Sequence, residues 1–365
     1  MYDYLVVGAG LAGATIAEQL ASSYGFSVLV VDKRTHVAGN AHDGVERDGV
    51  RYHAYGPHIF HTNSERVVEY LSRFTTWRPY EHRVRSRVGE LLVPIPINRT
   101  TLATLFGRPF SETEAAAFLE ARAEKFGRVD NSERMIRSRV GKELYEVFFR
   151  GYTRKQWGRS PAELDAAVCG RIPTRTNDDD RYFTDRFQAM PAEGFTALVR
   201  RMLAHPRIDV ALGIDYRNLD VRAQKTVMTG PIDDYFDYRY GRLPYRSLRF
   251  EFETHDVERF QEVACINEPS EAVPFTRTTE YKFLTGQQNR KTVISREYAQ
   301  DEGDPFYPIP CPESREMHRR YEALAFRERH VTFAGRLGEY KYFNMDQVVA
   351  SALGKVREIA SETVA

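Results

Sequence analysis

Tyr4-Leu5-Val6-Val7-Gly8-Ala9-Gly10-Leu11-Ala12-Gly13, continued by Ser27-Val28-Leu29-Val30-Val31-Asp32, decides the fold class of this 365-residue chain. Residues 4–7 form an apolar run of strand type, residues 11–20 have helical spacing, and residues 27–31 are a second apolar run. Strand, tight glycine turn, helix and strand within about 30 residues predict a βαβ unit with a parallel pair. Gly8 permits the turn, Gly10 lets backbone approach a pyrophosphate, and Gly13 allows close packing of helix on strand. The helix N-terminus then offers unpaired N–H groups and a positive dipole end to phosphates. Asp32 closes the second strand about 20 residues on, where an acid accepts hydrogen bonds from a ribose. A bare glycine motif says little, but the flanking strand, helix and acid together argue against an ordinary turn.

Lys33 and Arg34 follow the acid directly, and the stretch from Arg34 to Gly39-Asn40 resembles the second glycine element of many FAD enzymes. Ala38 stands where the first glycine of that element is common. NAD and FAD both fit the core motif, and this element favours FAD. Asp215 and Tyr216, which follow an expected strand at 207–212, are placed at the adenine end.

Outward from this core, residues 64–73 read as a helix. Residues 83–88 and 91–97 read as a hairpin whose second strand is an edge, because Pro94 and Pro96 donate no ladder hydrogen bond. Ser111-Glu112-Thr113-Glu114 is a capping box opening a helix to about residue 126, and residues 131–149 continue in helical style. Residues 207–212 and 225–229 read as strands. Residues 245–254 alternate, with Leu248, Phe250 and Phe252 on one face and Arg249, Glu251 and Glu253 on the other, which predicts a half-exposed antiparallel strand. Residues 262–266 and 292–298 are expected to join it. A last strand at 330–334 precedes a glycine loop and a helix from about Asp346, with Val348, Val349, Ala352, Leu353 and Val356 on its apolar face.

With 42% hydrophobic residues the chain can bury a core, and a net charge of +1 argues against a nucleic-acid or anionic-membrane partner. Any bound anion must be held by a few placed arginines. Cys169, Cys265 and Cys311 show no paired or zinc-type spacing and read as free thiols of a reducing compartment. No apolar run reaches the ~20 residues of a membrane span, and no basic leader precedes the first strand, so the expected location is the cytoplasm. His58 and His61 lack a placed third ligand and do not make a metal site, and Asp178-Asp179-Asp180 reads as a solvated acidic run.

Several segments, in order along nearly the whole chain, resemble the bacterial UDP-galactopyranose mutase family. They are Tyr55-Gly56-Pro57-His58-Ile59-Phe60-His61-Thr62, Gly151-Tyr152-Thr153-Arg154-Lys155-Gln156-Trp157, Arg171-Ile172-Pro173-Thr174-Arg175, Arg181-Tyr182-Phe183, Val273-Pro274-Phe275-Thr276-Arg277, Tyr307-Pro308-Ile309 and Gly335-Arg336-Leu337-Gly338-Glu339-Tyr340-Lys341-Tyr342. The resemblance implies a discontinuous Rossmann-like FAD domain (1–78, 190–240 and 313–365), a mainly helical domain (79–150), and an antiparallel six-stranded sheet domain (151–189 and 241–312). It also implies a mobile substrate loop at about 164–175.

By the same resemblance Arg171 and Arg277 clamp the substrate diphosphate, a task that suits the planar, bidentate guanidinium. Phe149, Tyr152, Thr153, Trp157 and Asn267 match the uridine pocket, and Tyr182, Tyr307 and Tyr342 line the sugar and phosphate site. Gly56-Pro57-His58-Ile59 matches a loop beside the flavin ring, where His58 is placed to hydrogen-bond and move protons. Gly335, Arg336, Tyr342, Asn344, Met345 and Asp346 face the flavin from the C-terminal side. Asn344 replaces an aspartate of many relatives, which predicts slightly easier holding of reduced flavin.

The implied activity interconverts UDP-galactopyranose and UDP-galactofuranose without net redox, for cell-wall polysaccharide biosynthesis. Reduced flavin N5 attacks the anomeric carbon, and the resulting flavin–sugar iminium reopens and recloses the ring. FAD is active when reduced, an external reductant is implied, and a homodimer or larger assembly is expected. Three alternatives stay open: a mutase for another nucleotide sugar such as a dTDP-deoxy sugar, an amine-oxidase-like flavin oxidoreductase, and a non-catalytic nucleotide-sugar sensor.

Overall fold

The computed structural model describes residues 1–45 and 48–364, with side chains through residue 360; the last residue of the 313–365 segment lies outside the described residues. A five-stranded sheet has the order Ile208–Leu212, Val28–Asp32, Tyr2–Val7, Ala223–Met228, Val331–Phe333. Every neighbouring pair is parallel, as the opening motif predicts. Parallel strands are covered on both faces, which explains why these segments are almost continuously apolar. The helix Leu11–Tyr24 lies on one face and packs against Phe195–Leu203 and Met345–Val364. Its buried side is built from small residues, Ala12, Gly13, Ala14, Ala17 and Ala21, and it stops where Gly25 turns left-handed at φ 73°.

Gly13 shows why the helix carries glycine at its first turn. A methyl group there would stand 1.9 Å from the Gly8 carbonyl oxygen, so helix and strand touch backbone to backbone. Gly8 has φ +111°, and a side chain on it would meet the Thr229 hydroxyl at 2.0 Å.

The second sheet has seven strands, ordered Tyr307–Pro308, Tyr245–His255, Thr292–Gln300, Arg277–Glu280, Cys265–Asn267, Val84–Val88, Leu91–Ile95. The count is seven where resemblance implied six: five strands come from residues 245–308, and the Val84–Ile95 hairpin adds two through one parallel pair, Val84–Val88 against Cys265–Asn267. The remaining pairs are antiparallel. The hairpin's second strand is the edge, and Pro94 sits opposite Arg85 there. A smaller sheet joins Phe60–Thr62 and Trp77–Pro79 to Phe187–Pro191.

Between the hairpin and the site lies the helical stretch. The capping box forms, with Ser111 Oγ accepting from Glu114 N–H at 3.2 Å and Glu114 accepting from Ser111 N–H at 2.8 Å. That helix, Glu112–Arg122, ends short of residue 126, and Gly141 of the next helix lies against the Arg122 carbonyl oxygen, which a methyl group would meet at 2.3 Å. Gly141 adopts φ 78°, ψ 178°, so the expected helix over 131–149 is broken there. It resumes after Gly141 through Tyr145 and passes into a π-helical turn at Glu146–Arg150 and a helix at Gly151–Trp157. The acidic run is not merely solvated. Asp178 pairs with Arg99 at 2.8 Å, Asp179 with Arg181 at 2.9 Å, and Asp180 with Arg83 at 2.8 Å and Arg85 at 3.0 Å.

Gly13→Ala drives a methyl group into backbone that has nowhere to move. Overpacking of this kind costs about 1–3 kcal/mol. Urea unfolding of the variant is expected to show a midpoint shifted down accordingly at an unchanged slope, and an unchanged midpoint would show that helix and strand can separate freely.

Candidate functional site

A cavity of about 970 Å³ runs from the glycine turn to the second sheet. Gly8, Gly10, Leu11 and Ala12 line one end with Asp32, Lys33, Arg34, Gly39 and Asn40. Asp215, Tyr216, His58, Trp157, Gly335, Arg336 and Met345 also reach it. The first helix begins at Gly10 with no side-chain cap and no acid in its first turn, which leaves its N–H groups and positive end to a phosphate. Asp32 is held from both sides, accepting from Ala9 N–H at 2.8 Å and Arg34 N–H at 2.9 Å. Each carboxylate oxygen keeps lone pairs for ribose hydroxyls. Arg34 donates to Asn40 at 2.8 Å and lies 4.3 Å from the Tyr55 ring. A methyl group on Gly39 would approach the Gly10 Cα to 3.2 Å, so the two glycine elements meet. Ala38 takes the left-handed conformation at φ 75° that favours glycine. These features fit a dinucleotide cofactor.

Not every residue placed at the cofactor lines the cavity. Ala9 and Ile59 are buried in the core, Gly13 serves packing, and Gly56 leans on the Phe250 ring, which a methyl group would meet at 2.9 Å. Asp346 accepts from Thr62 Oγ1 at 2.8 Å, tying the last helix to the strand Phe60–Thr62. Arg336 binds the Phe343 carbonyl at 3.1 Å and the Phe306 carbonyl at 3.3 Å, joining two loops at the cavity wall.

The aromatic and arginine residues gather beside this wall. Trp157, Tyr307 and Tyr342 form a triangle of edge-to-face rings with centroids 5.0, 5.2 and 5.5 Å apart. Arg171, at the end of the helix Ala166–Gly170, stacks 4.5 Å from Tyr342 and donates to Asn344 Oδ1 at 2.7 Å. The segment is pinned from below, since Arg139 donates to the Gly170 and Ile172 carbonyls at 3.0 and 3.2 Å. Tyr182 lies in the field of both Arg277 and Arg171. Burial raises the pKa of Tyr182, as it does for Tyr152 and Tyr307. These phenols stay protonated donors.

Arg277 stands in the sheet opposite Asn267 on one side and Glu297 on the other. Its Nε lies 3.3 Å from Glu297 Oε1, yet it completes no hydrogen bond. Burial works against its charge, but the Glu297 carboxylate overcomes this and holds its pKa well above the arginine norm. Sequence reading misses Glu297, since only the register brings it to Arg277. Two members of the expected base pocket face inward. Thr153 contacts the Cys169 sulfur at 3.6 Å, and Phe149 belongs to the core. Pro57 is half-buried in the loop that carries His58.

His58 Nδ1 meets the Gly56 carbonyl at 2.8 Å, so Nδ1 carries the proton and Nε2 is left as an acceptor. Burial pushes its pKa down to about 4, which corrects the expectation of a proton carrier near neutrality. His61 is engaged elsewhere, 2.7 Å from Asp185 and stacked on Phe183.

Family comparison adds what geometry alone leaves open. The model of the UDP-galactopyranose mutase family matches residues 147–342, and an NAD(P)-binding Rossmann-like domain matches residues 6–74. The chain is 37% identical over 98% of its length to a probable UDP-galactopyranose mutase of Klebsiella pneumoniae, covering 95% of that protein. This chain belongs to the UDP-galactopyranose mutase family. It is also 34% identical to the dTDP-fucopyranose mutase of Escherichia coli, over 97% of both chains. In three dimensions it superposes on reduced UDP-galactopyranose mutase with a TM-score of 0.80 at 13% identity, covering 99% of this chain and 96% of that one. The Rossmann-like core and the family fold together imply a flavin. Among the described residues no helix is long and apolar enough to cross a membrane.

Buried neutral histidines around the site make its stability pH-dependent. Burial lowers His53 to about 3, His58 to about 4 and His82 to about 3. Unfolded histidines take up protons below about pH 6.5, so stability is full above that value and falls as the pH drops toward 4. Asp43 acts in the opposite direction, because burial raises it to about 6 and folding then retains its proton. Burial also lowers His42 to about 4, so four protons taken up on unfolding, less the one Asp43 holds, leave about three near pH 5. That corresponds to roughly 4 kcal/mol lost per pH unit. Urea titrations at pH 7.5, 5.5 and 4.8 check this, and a flat profile would contradict it.

Proposed function

We propose that this chain interconverts UDP-galactopyranose and UDP-galactofuranose with no net redox, and that it does so with reduced flavin. The observation that carries the reading is the juxtaposition of a dinucleotide cavity with a wall of aromatic rings, Trp157, Tyr307 and Tyr342, and with the incompletely paired Arg171 and Arg277. When bound and reduced, the flavin supplies a nucleophile for the anomeric carbon. The chain's own groups then need only position and stabilise.

Arg277 is pre-organised for a diphosphate. Its charge is locked by Glu297 while its guanidinium is not consumed by a full hydrogen bond. Arg171 offers a second fork, backed by Tyr342 and Asn344. Two fixed cations of this kind stabilise charge on a departing nucleotide more than charge on the bound ester. Tyr152 and Trp157 stand on one helix and give the uridine a flat aromatic surface, with Asn267 beside Arg277 for its polar edge. Tyr182, Tyr307 and Tyr342 enclose the sugar with apolar rings and neutral hydroxyls, which suits a galactose that turns between two ring forms. Closure of residues 164–175 over the substrate would exclude water from the chamber. His58 takes part as a neutral acceptor through Nε2.

A second reading, a mutase for a dTDP-deoxy sugar, is favoured by the 34% identity to dTDP-fucopyranose mutase. Base and sugar preference turn on a few contacts, so the two readings separate by substrate rather than by fold.

Incubation of the flavin-loaded protein with UDP-galactofuranose, with and without dithionite, is expected to yield UDP-galactopyranose only in the reduced sample. Conversion of dTDP-fucofuranose in place of the uridine substrate would establish the second reading instead. No turnover of either substrate would defeat both readings.

Arg277→Ala is expected to lower kcat by at least about 100-fold, the scale of losing a placed charge-stabilising donor. Flavin content should be unchanged in that variant. Near-normal turnover would remove Arg277 from this role.

A further inference from the structure

His58 reaches the cavity on a loop whose backbone is held from behind at His58 itself. Its N–H donates to His53 Nδ1 at 3.0 Å. Since a backbone N–H can only donate, Nδ1 of His53 is the bare nitrogen and Nε2 carries the proton. That Nε2 lies 3.6 Å from Asp43 Oδ1, and both side chains are buried. Oδ1 completes no hydrogen bond, so the carboxylate acts on His53 Nε2–H through its charge at this distance. The second oxygen, Oδ2, accepts from Thr196 N–H at 2.8 Å, in the first turn of the nine-residue helix Phe195–Leu203. That helix begins at Gly194 without a side-chain cap of its own, and a methyl group on Gly194 would stand 2.3 Å from Oδ2. Asp43 therefore caps a helix of the Rossmann-like core with one oxygen and faces His53 with the other.

We propose that Asp43 and His53 are positioning residues, in which the Asp43 carboxylate selects the Nε2–H tautomer of His53 and so keeps Nδ1 free to hold the His58 loop at the cavity. The inference rests on the placement of His58 in the proposed site. It assigns a role to two buried polar residues that never touch the substrate. Tautomer selection by a carboxylate is a general device for keeping an imidazole in its working form.

One atom is enough to invert it. In Asp43→Asn the amide oxygen is required opposite Thr196 N–H, which turns the NH2 group toward His53. Two donors cannot face each other, so His53 moves its proton to Nδ1 and loses its bond from His58 N–H.

In flavin-loaded protein labelled with 15N-histidine, D43N is expected to exchange the shifts of the two His53 ring nitrogens. It should also alter the visible flavin absorbance and lower kcat by roughly tenfold, on the scale of one charge-linked hydrogen bond, with KM little changed. His53→Asn places an amide oxygen where Nδ1 stands and has no tautomer to invert. It should rescue the loop, and D43N added to H53N should cost less than about twofold. H53Q, which reaches Asp43 but offers no acceptor at the Nδ1 position, should behave like D43N. The proposal is overturned if His53 keeps its nitrogen shifts in D43N, or if D43N costs as much in the H53N background as alone. Should D43N fail to fold, equal kcat values and flavin spectra for H53N and H53Q would overturn it. The nitrogen shifts and flavin absorbance are read without any sugar, so loss of the substrate assignment would leave this test intact.

Discussion

The contact between the bare Cα of Gly13 and the carbonyl oxygen of Gly8 fixes the distance from the first helix to the first strand. Everything around the cavity inherits that distance. With the helix drawn in, its uncapped N-terminus points into the open space beyond the strand ends, and Asp32 is locked by two backbone N–H groups at the neighbouring strand end. The second glycine element at Gly39 can then touch Gly10, and Gly335 from the far end of the chain lines the same space. A larger residue at position 13 would push apart surfaces that meet backbone to backbone.

The phosphate-turn end of the site was legible in residue order because it is local. Gly8 to Gly13, the strand to Asp32 and the capping box at Ser111 each work within a few residues, and periodicity exposes them. The alternation at Leu248, Phe250 and Phe252 likewise announced an antiparallel strand, which the pairing of Tyr245–His255 with Thr292–Gln300 bears out. What stayed hidden depends on partners distant in sequence. Glu297 meets Arg277 only through strand register, and Asp43 meets His53 only through a two-stranded ladder. Asp178 and Asp180 looked solvated because their arginines, Arg99, Arg83 and Arg85, lie some 80 to 100 positions away, whereas the partner of Asp179, Arg181, is two residues on. The proton affinity of His58 was misjudged for a related reason, since burial is a property of the fold.

Charge is handled throughout by local pairing. A chain with 52 basic and 51 acidic residues has no global field to attract a nucleotide. Most arginines near the surface are matched to carboxylates, as in the network around Asp179 and Asp180. Arg171 differs in having a neutral amide as its hydrogen-bond partner, and Arg277 in having an imperfectly aligned carboxylate. Both retain attraction for an anion that the matched arginines have already given up. On the proposed reading, these two incompletely satisfied arginines are the ones available to a diphosphate.

The parallel sheet draws its strands from residues 2–7, 28–32, 208–212, 223–228 and 331–333, and the first helix packs against the helix that starts at Met345. Residues 2–32 and 331–360 are therefore neighbours in one structural layer. Gly335, Arg336 and Met345 line the same cavity as Gly8 and Gly10, so that cavity has no complete wall until segments from both regions have packed together. A partly folded chain in which only the first βαβ unit has formed would present the glycine turn without the surface that closes over it.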